Sequence, residues 1–121
     1  MLVKSLAACP EVVAIDRTVL RELLHPDRDP AALRYSLAHA KLPPQQWSLL
    51  HVLQMAEVYY ILAGQGIIEI DRERREVEAG DAVYIPPGGR QRIFAHGPQW
   101  LEFLCVVDPA WRAEDEEKLE T

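Results

Sequence analysis

The sequence predicts an all-β chain folded as an antiparallel sandwich or barrel. Two observations point there. From Arg34 onward, short runs rich in β-branched and aromatic residues follow one another at near-regular spacing. Each run is cut off by glycine or proline, the residues that supply turns and end ladders.

Taken in order, residues 1–15 are of mixed apolar character with a break at Pro10, which suits a short strand or an arm. After Asp16-Arg17-Thr18, Val19, Leu20, Leu23 and Leu24 stand at helical spacing. That stretch is so short before His25-Pro26 that a strand competes with a helix. Pro26, Asp27, Asp29 and Pro30 make a loop, and Pro30 can also open a helical turn, since proline is tolerated at the first helical position.

Arg34–Leu42 reads as a strand with Tyr35, Leu37, His39 and Lys41 on one face and Ser36, Ala38, Ala40 and Leu42 on the other. Ser48–Leu53 and Glu57–Leu62 are the next two strands. Gly64 and Gly66 flank a turn into Ile67–Ile70, and Asp71–Arg75 is a charged hairpin tip. Ala79-Gly80-Asp81 turns the chain into Ala82–Ile85, which stops at Pro86-Pro87-Gly88-Gly89. Gln91–Ala95 and Trp100–Val107 complete the strands, the second ended by Asp108-Pro109. The acidic tail, Ala113–Thr121, reads as a solvated helix or a frayed end without a function of its own. The chain thus divides into an arm and loop (1–32), a barrel (33–109) and a tail (110–121).

With 121 residues there is one domain with a real core. A net charge of −6 and the lack of a basic stripe argue against nucleic acid and against anionic membrane surfaces. No apolar run approaches the length of a membrane span. Cys9 and Cys105, far apart and without metal-type spacing, are expected as reduced, packed thiols of a cytoplasmic protein.

The centre of the chain carries two spaced patterns. His51, Leu53, Glu57 and Gly64 follow H-x-L-x3-E-x6-G, and Gly80, Pro86, Gly88 and Gln91 follow G-x5-P-x-G-x2-Q. These resemble the two motifs of the cupin superfamily, G-x5-H-x-H-x3,4-E-x6-G and G-x5-P-x-G-x2-H-x3-N. The short gap from Gly64 to Gly80 is that of the small single-domain, cupin 2-type members. Four positions depart from the pattern: Leu53 and Gln91 replace histidines, Gln45 the opening glycine and Ala95 the closing asparagine.

The resemblance implies a jelly-roll barrel, or double-stranded β-helix, with an N-terminal arm and short helical segments at the termini. It also places His51, Glu57 and Gln91 around one point inside the barrel, with Leu53 beside them. In the family that point holds one divalent transition metal, so manganese, iron, zinc or nickel is the expected cofactor. Only one imidazole remains, so the two-histidine, one-carboxylate triad of non-haem iron oxygenases is absent.

Each donor has a second reading. His51 can simply be a hydrogen-bonded core residue. Glu57, if buried, needs a partner, which can be a metal or one of Arg34, Lys41, Arg90 and Arg92. Gln91 can hydrogen-bond Glu57 rather than touch a metal. Tyr59 and Ile61 share the parity of Glu57 and are expected on the pocket wall, with Tyr84, Ile93 and Trp47 as further wall candidates. His39 either points inward as a second imidazole or packs elsewhere, and His25 and His96 are expected exposed in loops.

Three functions follow. The chain is a barrel that binds a divalent metal, a small molecule or both; or a metal-dependent enzyme, isomerase- or dioxygenase-like, acting on a small polar metabolite; or a metal-free ligand-binding barrel. Fold alone does not choose among them. The resemblance also implies a homodimer paired through its sheets.

Overall fold

The computed structural model describes all residues, 1–121. Its strands in chain order are β1 (Val12–Val13), β2 (Val19–Leu24), β3 (Ser36–Leu42), β4 (His51–Leu53), β5 (Ala56–Ala63), β6 (Gln65–Ile70), β7 (Glu73–Glu78), β8 (Ala82–Ile85), β9 (Arg90–His96), β10 (Leu101–Asp108) and β11 (Glu116–Lys118). They form two antiparallel sheets, one of six strands in the order β1-β2-β3-β10-β5-β8 and one of five in the order β11-β4-β9-β6-β7. The all-β expectation holds. The short helical segments expected at the termini are single 3-10 turns, Leu6–Ala8 and Ala113–Asp115.

Alternation along the strands builds the core. In β5, Glu57, Tyr59 and Ile61 face in; in β10, Leu101, Phe103, Cys105 and Val107 do. Ile61, Ile93, Ala95, Leu101 and Phe103 are fully shielded between the sheets, joined by Leu42, Ile68 and Ile85. A satellite of Leu53, Met55 and Val107 closes one end, with Trp111 packed on it.

The stretch Val19–Leu24 is a strand. As a helix it would span too few residues to repay nucleation, whereas as β2 it pairs with β3 along its length. No helix opens at Pro30; the loop closes by turn bonds such as Ala31 N–H to the Asp29 carbonyl, 2.8 Å. The acidic tail is also ordered by pairing. Glu116, Glu117 and Lys118 sit opposite Leu53, Val52 and His51, the Leu119 N–H donates to the Leu50 carbonyl at 2.8 Å, and the Leu50 N–H donates to Glu120 Oε1 at 2.6 Å. No helix is long and apolar enough to cross a membrane.

His25, expected exposed, is buried. Its Nδ1 accepts from the Asp27 N–H at 3.1 Å and its Nε2 donates to the Trp111 carbonyl at 2.8 Å, tying the loop after β2 to the C-terminal segment. The opening glycine of the first motif pattern also has a physical reading. Gln45 stands there with φ of 63°, so the position keeps the left-handed backbone while losing the residue that adopts it most easily.

Candidate functional site

β4 and β9 are neighbours in the five-stranded sheet, and His51 lies directly opposite Gln91. Glu57 and Tyr59 reach the same space from β5 in the other sheet. Gln91 Nε2 donates to Glu57 Oε1 at 3.0 Å, and Gln91 Oε1 accepts from the Tyr59 hydroxyl at 3.0 Å. The chain Tyr59–Gln91–Glu57 therefore bridges the sheets, and all three residues are buried. Beside it opens a cavity of about 410 Å³ between the six-stranded sheet, the Val12–Asp16 segment and the C-terminal strap. Glu57, Tyr59, Asp16 and Glu116 are on its wall, with Phe103, Cys105, Val107 and Trp111 supplying much of the apolar surface.

His51 is 2% exposed, and its Nδ1 stands 2.8 Å from the Leu49 carbonyl oxygen. A carbonyl only accepts, so Nδ1 carries the hydrogen and the other ring nitrogen turns toward Asp16 and Glu116 of the cavity wall. There Nε2 lies 3.7 Å from Asp16 Oδ2 and 3.8 Å from Glu116 Oε2.

Of the residues expected around the pocket, His51, Glu57, Gln91 and Tyr59 come together. Ile61 and Ile93 belong to the packed core, and Leu53 to the satellite cluster beside it. Tyr84 is 62% exposed, because alternation in β8 turns Ile85 inward instead. Trp47 lies outside the cavity, its ring 5.1 Å from Phe94 and 4.4 Å from the Arg92 guanidinium. His39 points away, with its Nε2 3.8 Å from Glu102 Oε2, because on β3 it is Ser36 and Ala38 that reach the cavity wall. None of Arg34, Lys41, Arg90 and Arg92 pairs with Glu57: Arg34 holds Asp108, Lys41 faces Glu11 and Arg92 holds Glu69.

The family model of the cupin domain matches residues 38–107, more than half of the chain. The chain belongs to the cupin family. This cupin is 41% identical over 106 residues to an uncharacterised protein of Methanocaldococcus jannaschii, a match covering 87% of the chain and 84% of that protein. It is 35% identical over 71 residues to an oxalate-binding protein of Thermotoga maritima, covering 58% of the chain and 59% of that protein. Among solved structures, a predicted oxalate decarboxylase of T. maritima superposes with a TM-score of 0.77 at 24% identity, covering 89% of this chain and 99% of that one. A nucleoside dehydratase superposes with a TM-score of 0.80 at 17% identity, covering 99% and 92%. At those identities the two superpositions speak for the fold.

The electrostatics of the cupin's site follow from burial among like charges. Burial pushes the Glu57 carboxyl from 4.5 up to about 8; the Gln91 amide opposes this, and the Asp16 and Glu116 charges add to it. The Glu116 carboxyl is also raised, first by burial, with His51 opposing and Asp16 reinforcing. Burial likewise drives the Tyr59 hydroxyl and the Cys105 thiol well above their ordinary values. Near neutral pH Glu57 is thus a protonated, hydrogen-bonded acid.

The donor chemistry suits a first-row divalent ion. An imidazole nitrogen without a hydrogen-bond partner faces two carboxylate oxygens. Ligands at about 2.1 Å from one ion stand roughly 3.4 Å apart in tetrahedral geometry. The distances of 3.7 and 3.8 Å are a few tenths wider, and as the side chains lie no three donors are already closed on one point.

Asp16 and Glu116 were missed in the sequence. Asp16 had a readable local signal: its Oδ1 accepts from the Thr18 N–H at 3.0 Å and the Thr18 hydroxyl at 2.7 Å, the pattern an Asp-x-Thr turn favours. Glu116 had none, since nothing in an acidic tail separates it from Glu117 or Glu120.

Proposed function

We propose that this cupin is a cytoplasmic binding barrel that takes a divalent transition metal ion, manganese, iron, zinc or nickel, together with a small molecule in the inter-sheet cavity. The observation that carries the reading is that an uncommitted imidazole nitrogen, His51 Nε2, faces two carboxylates, Asp16 and Glu116, that line a cavity of about 410 Å³. In this proposal His51 and Glu57 are donors. Gln91 is the third member, holding Glu57 in place or offering its amide oxygen once the Tyr59 bond opens. A bound ion would supply Lewis acidity and a fixed positive charge.

The name of the oxalate-binding relative suggests a small dicarboxylate as ligand. In this site a dianion would meet the Asp16 and Glu116 carboxylates on the cavity wall. The one arginine there, Arg28, is paired with Glu22 at 2.7 Å. A dicarboxylate would therefore be accepted only alongside a cation. A metal-free binding barrel is the second reading, favoured by the Tyr59–Gln91–Glu57 chain, which is hydrogen-bonded without any ion. An isomerase- or dioxygenase-like enzyme would use the same site.

Elemental mass spectrometry of the protein purified without tag or chelator tests the choice. The expected result is near-stoichiometric metal in the native protein and none in Glu57→Ala. A protein that stays empty after soaking with each ion would leave the metal-free reading. Glu57→Ala that keeps its metal would remove Glu57 from the donor set.

We also propose a homodimer through the outer face of the six-stranded sheet. Tyr60, Leu62 and Tyr84 are 44%, 41% and 62% exposed there, next to Leu104, which lies opposite Tyr60. Sedimentation at micromolar concentration should give twice the chain mass, and Tyr60→Arg should shift it to the monomer. A native protein that sediments as a monomer refutes the pairing.

A further inference from the structure

The two motif histidines that this chain lacks are Leu53 and Gln91 by position, and neither residue offers a free donor. Leu53 has no polar atom, and the amide oxygen of Gln91 is taken by Tyr59. We propose that Asp16 and Glu116, which lie outside both motifs, are the anionic ligands of a divalent cation seated on His51 Nε2. The inference rests on the reading that the cavity holds a divalent ion, and it names the residues that complete the site.

The carboxylates are built alike. Asp16 has one oxygen anchored, Oδ1, by the Thr18 N–H and hydroxyl, which leaves Oδ2 turned toward His51. Glu116 has one oxygen anchored, Oε1, by the Trp111 indole N–H at 3.1 Å, which leaves Oε2 turned toward His51. Fixing one carboxylate oxygen so that the other presents itself is how outer partners orient metal ligands. His51 is oriented the same way, with Nδ1 donating to the Leu49 carbonyl and Nε2 facing Asp16 and Glu116.

Charge makes the same demand. Asp16 is 6% exposed and the side chain of Glu116 is 12% exposed. No lysine or arginine side chain pairs with either. One buried and one largely shielded carboxylate around a single imidazole lack a full countercharge, which a cation would supply. A closing movement of a few tenths of an ångström brings each carboxylate oxygen to ligand spacing from His51 Nε2. The chemical class is a first-row divalent ion that accepts one nitrogen and carboxylate oxygens, with water and the organic ligand at the remaining positions.

The full-length chain, stripped with chelator and dialysed, is titrated with zinc chloride and with manganese chloride by calorimetry. The native protein is compared with Asp16→Asn, Glu116→Gln, the double variant and Glu22→Gln. Both single variants are isosteric and keep the oxygen that Thr18 or Trp111 anchors, and thermal melts check folding in each. The expected result is one site in the native protein, affinity down by about 10-fold or more in each single variant, no binding in the double variant, and native affinity in Glu22→Gln. Native affinity in both folded single variants overturns the assignment while leaving a metal site on His51 and Glu57. An equal loss in Glu22→Gln also overturns it, because the effect is then the general field of the cavity. If the native protein binds neither ion, the metal reading itself falls.

Discussion

Glu57→Gln is expected to stabilise the metal-free protein at alkaline pH and to change little in acid. In the folded chain the carboxyl is raised from 4.5 to about 8, by burial first. Between those values the folded state holds a proton that the unfolded state has released. The unfolded state then binds fewer protons, so stability falls as pH rises from 4.5 to 8 and is flat above, as far as this group is concerned. At about 1.4 kcal/mol for each pH unit of that window, the loss is on the order of 5 kcal/mol. Glutamine has no proton to release and can still accept from Gln91 Nε2, so the variant should not show this fall. Urea denaturation of chelator-treated protein at pH 5, 7 and 9 measures it. Parallel profiles for the two proteins would mean that Glu57 is ionised in the folded state and has a cationic partner.

This prediction separates what the sequence makes legible from what it does not. Glycine and proline punctuation and strand alternation announced β3 to β6 and β8 to β10, whereas β7, Glu73–Glu78, is a strand where the charges of Asp71–Arg75 suggested a hairpin tip; the inward face shared by Glu57, Tyr59 and Ile61 follows from period two alone. That His51, Glu57 and Gln91 lie around one point was what the resemblance to the cupin motifs implied. The segments that frame the cavity were harder to read. β1 and β11 have two and three residues, too few for any periodic signal, and they reach the site only because the topology lays them on sheet edges. Val19–Leu24 shows apolar residues at helical spacing, yet the neighbouring β3 edge decides in favour of a strand. Tyr84 and Trp47 looked like wall residues by composition; strand alternation in β8 turns Tyr84 outward, and Trp47, in the segment before β4, packs on Phe94 and the Arg92 guanidinium.

Gly64→Ala is expected to destabilise the fold by about 3 kcal/mol or more. Gly64 links β5 to β6 with φ of 84°, where a side chain is strained, and a Cβ built on it would stand 2.5 Å from the Trp100 carbonyl oxygen. The obstacle is backbone next to β10, the strand that pairs with both β3 and β5, so it cannot swing aside as a side-chain tip would. Gly80→Ala is the matched control. Its φ is 95°, but no atom lies within 4 Å of the added carbon, so only conformational strain of about 1–2 kcal/mol applies. Denaturant midpoints of the two variants should differ clearly, with Gly64→Ala the lower; equal midpoints would show that the approach of Trp100 relaxes at no cost. The contrast explains why the motif describes the barrel better than its chemistry. Gly64 is required because backbone passes within contact of it, whatever the barrel binds. Position 53 can lose a histidine to leucine and position 91 one to glutamine without disturbing a single ladder, since β4 and β9 pair through their backbones. Gly64 is thus held by the fold itself, while no backbone contact holds positions 53 and 91 to histidine.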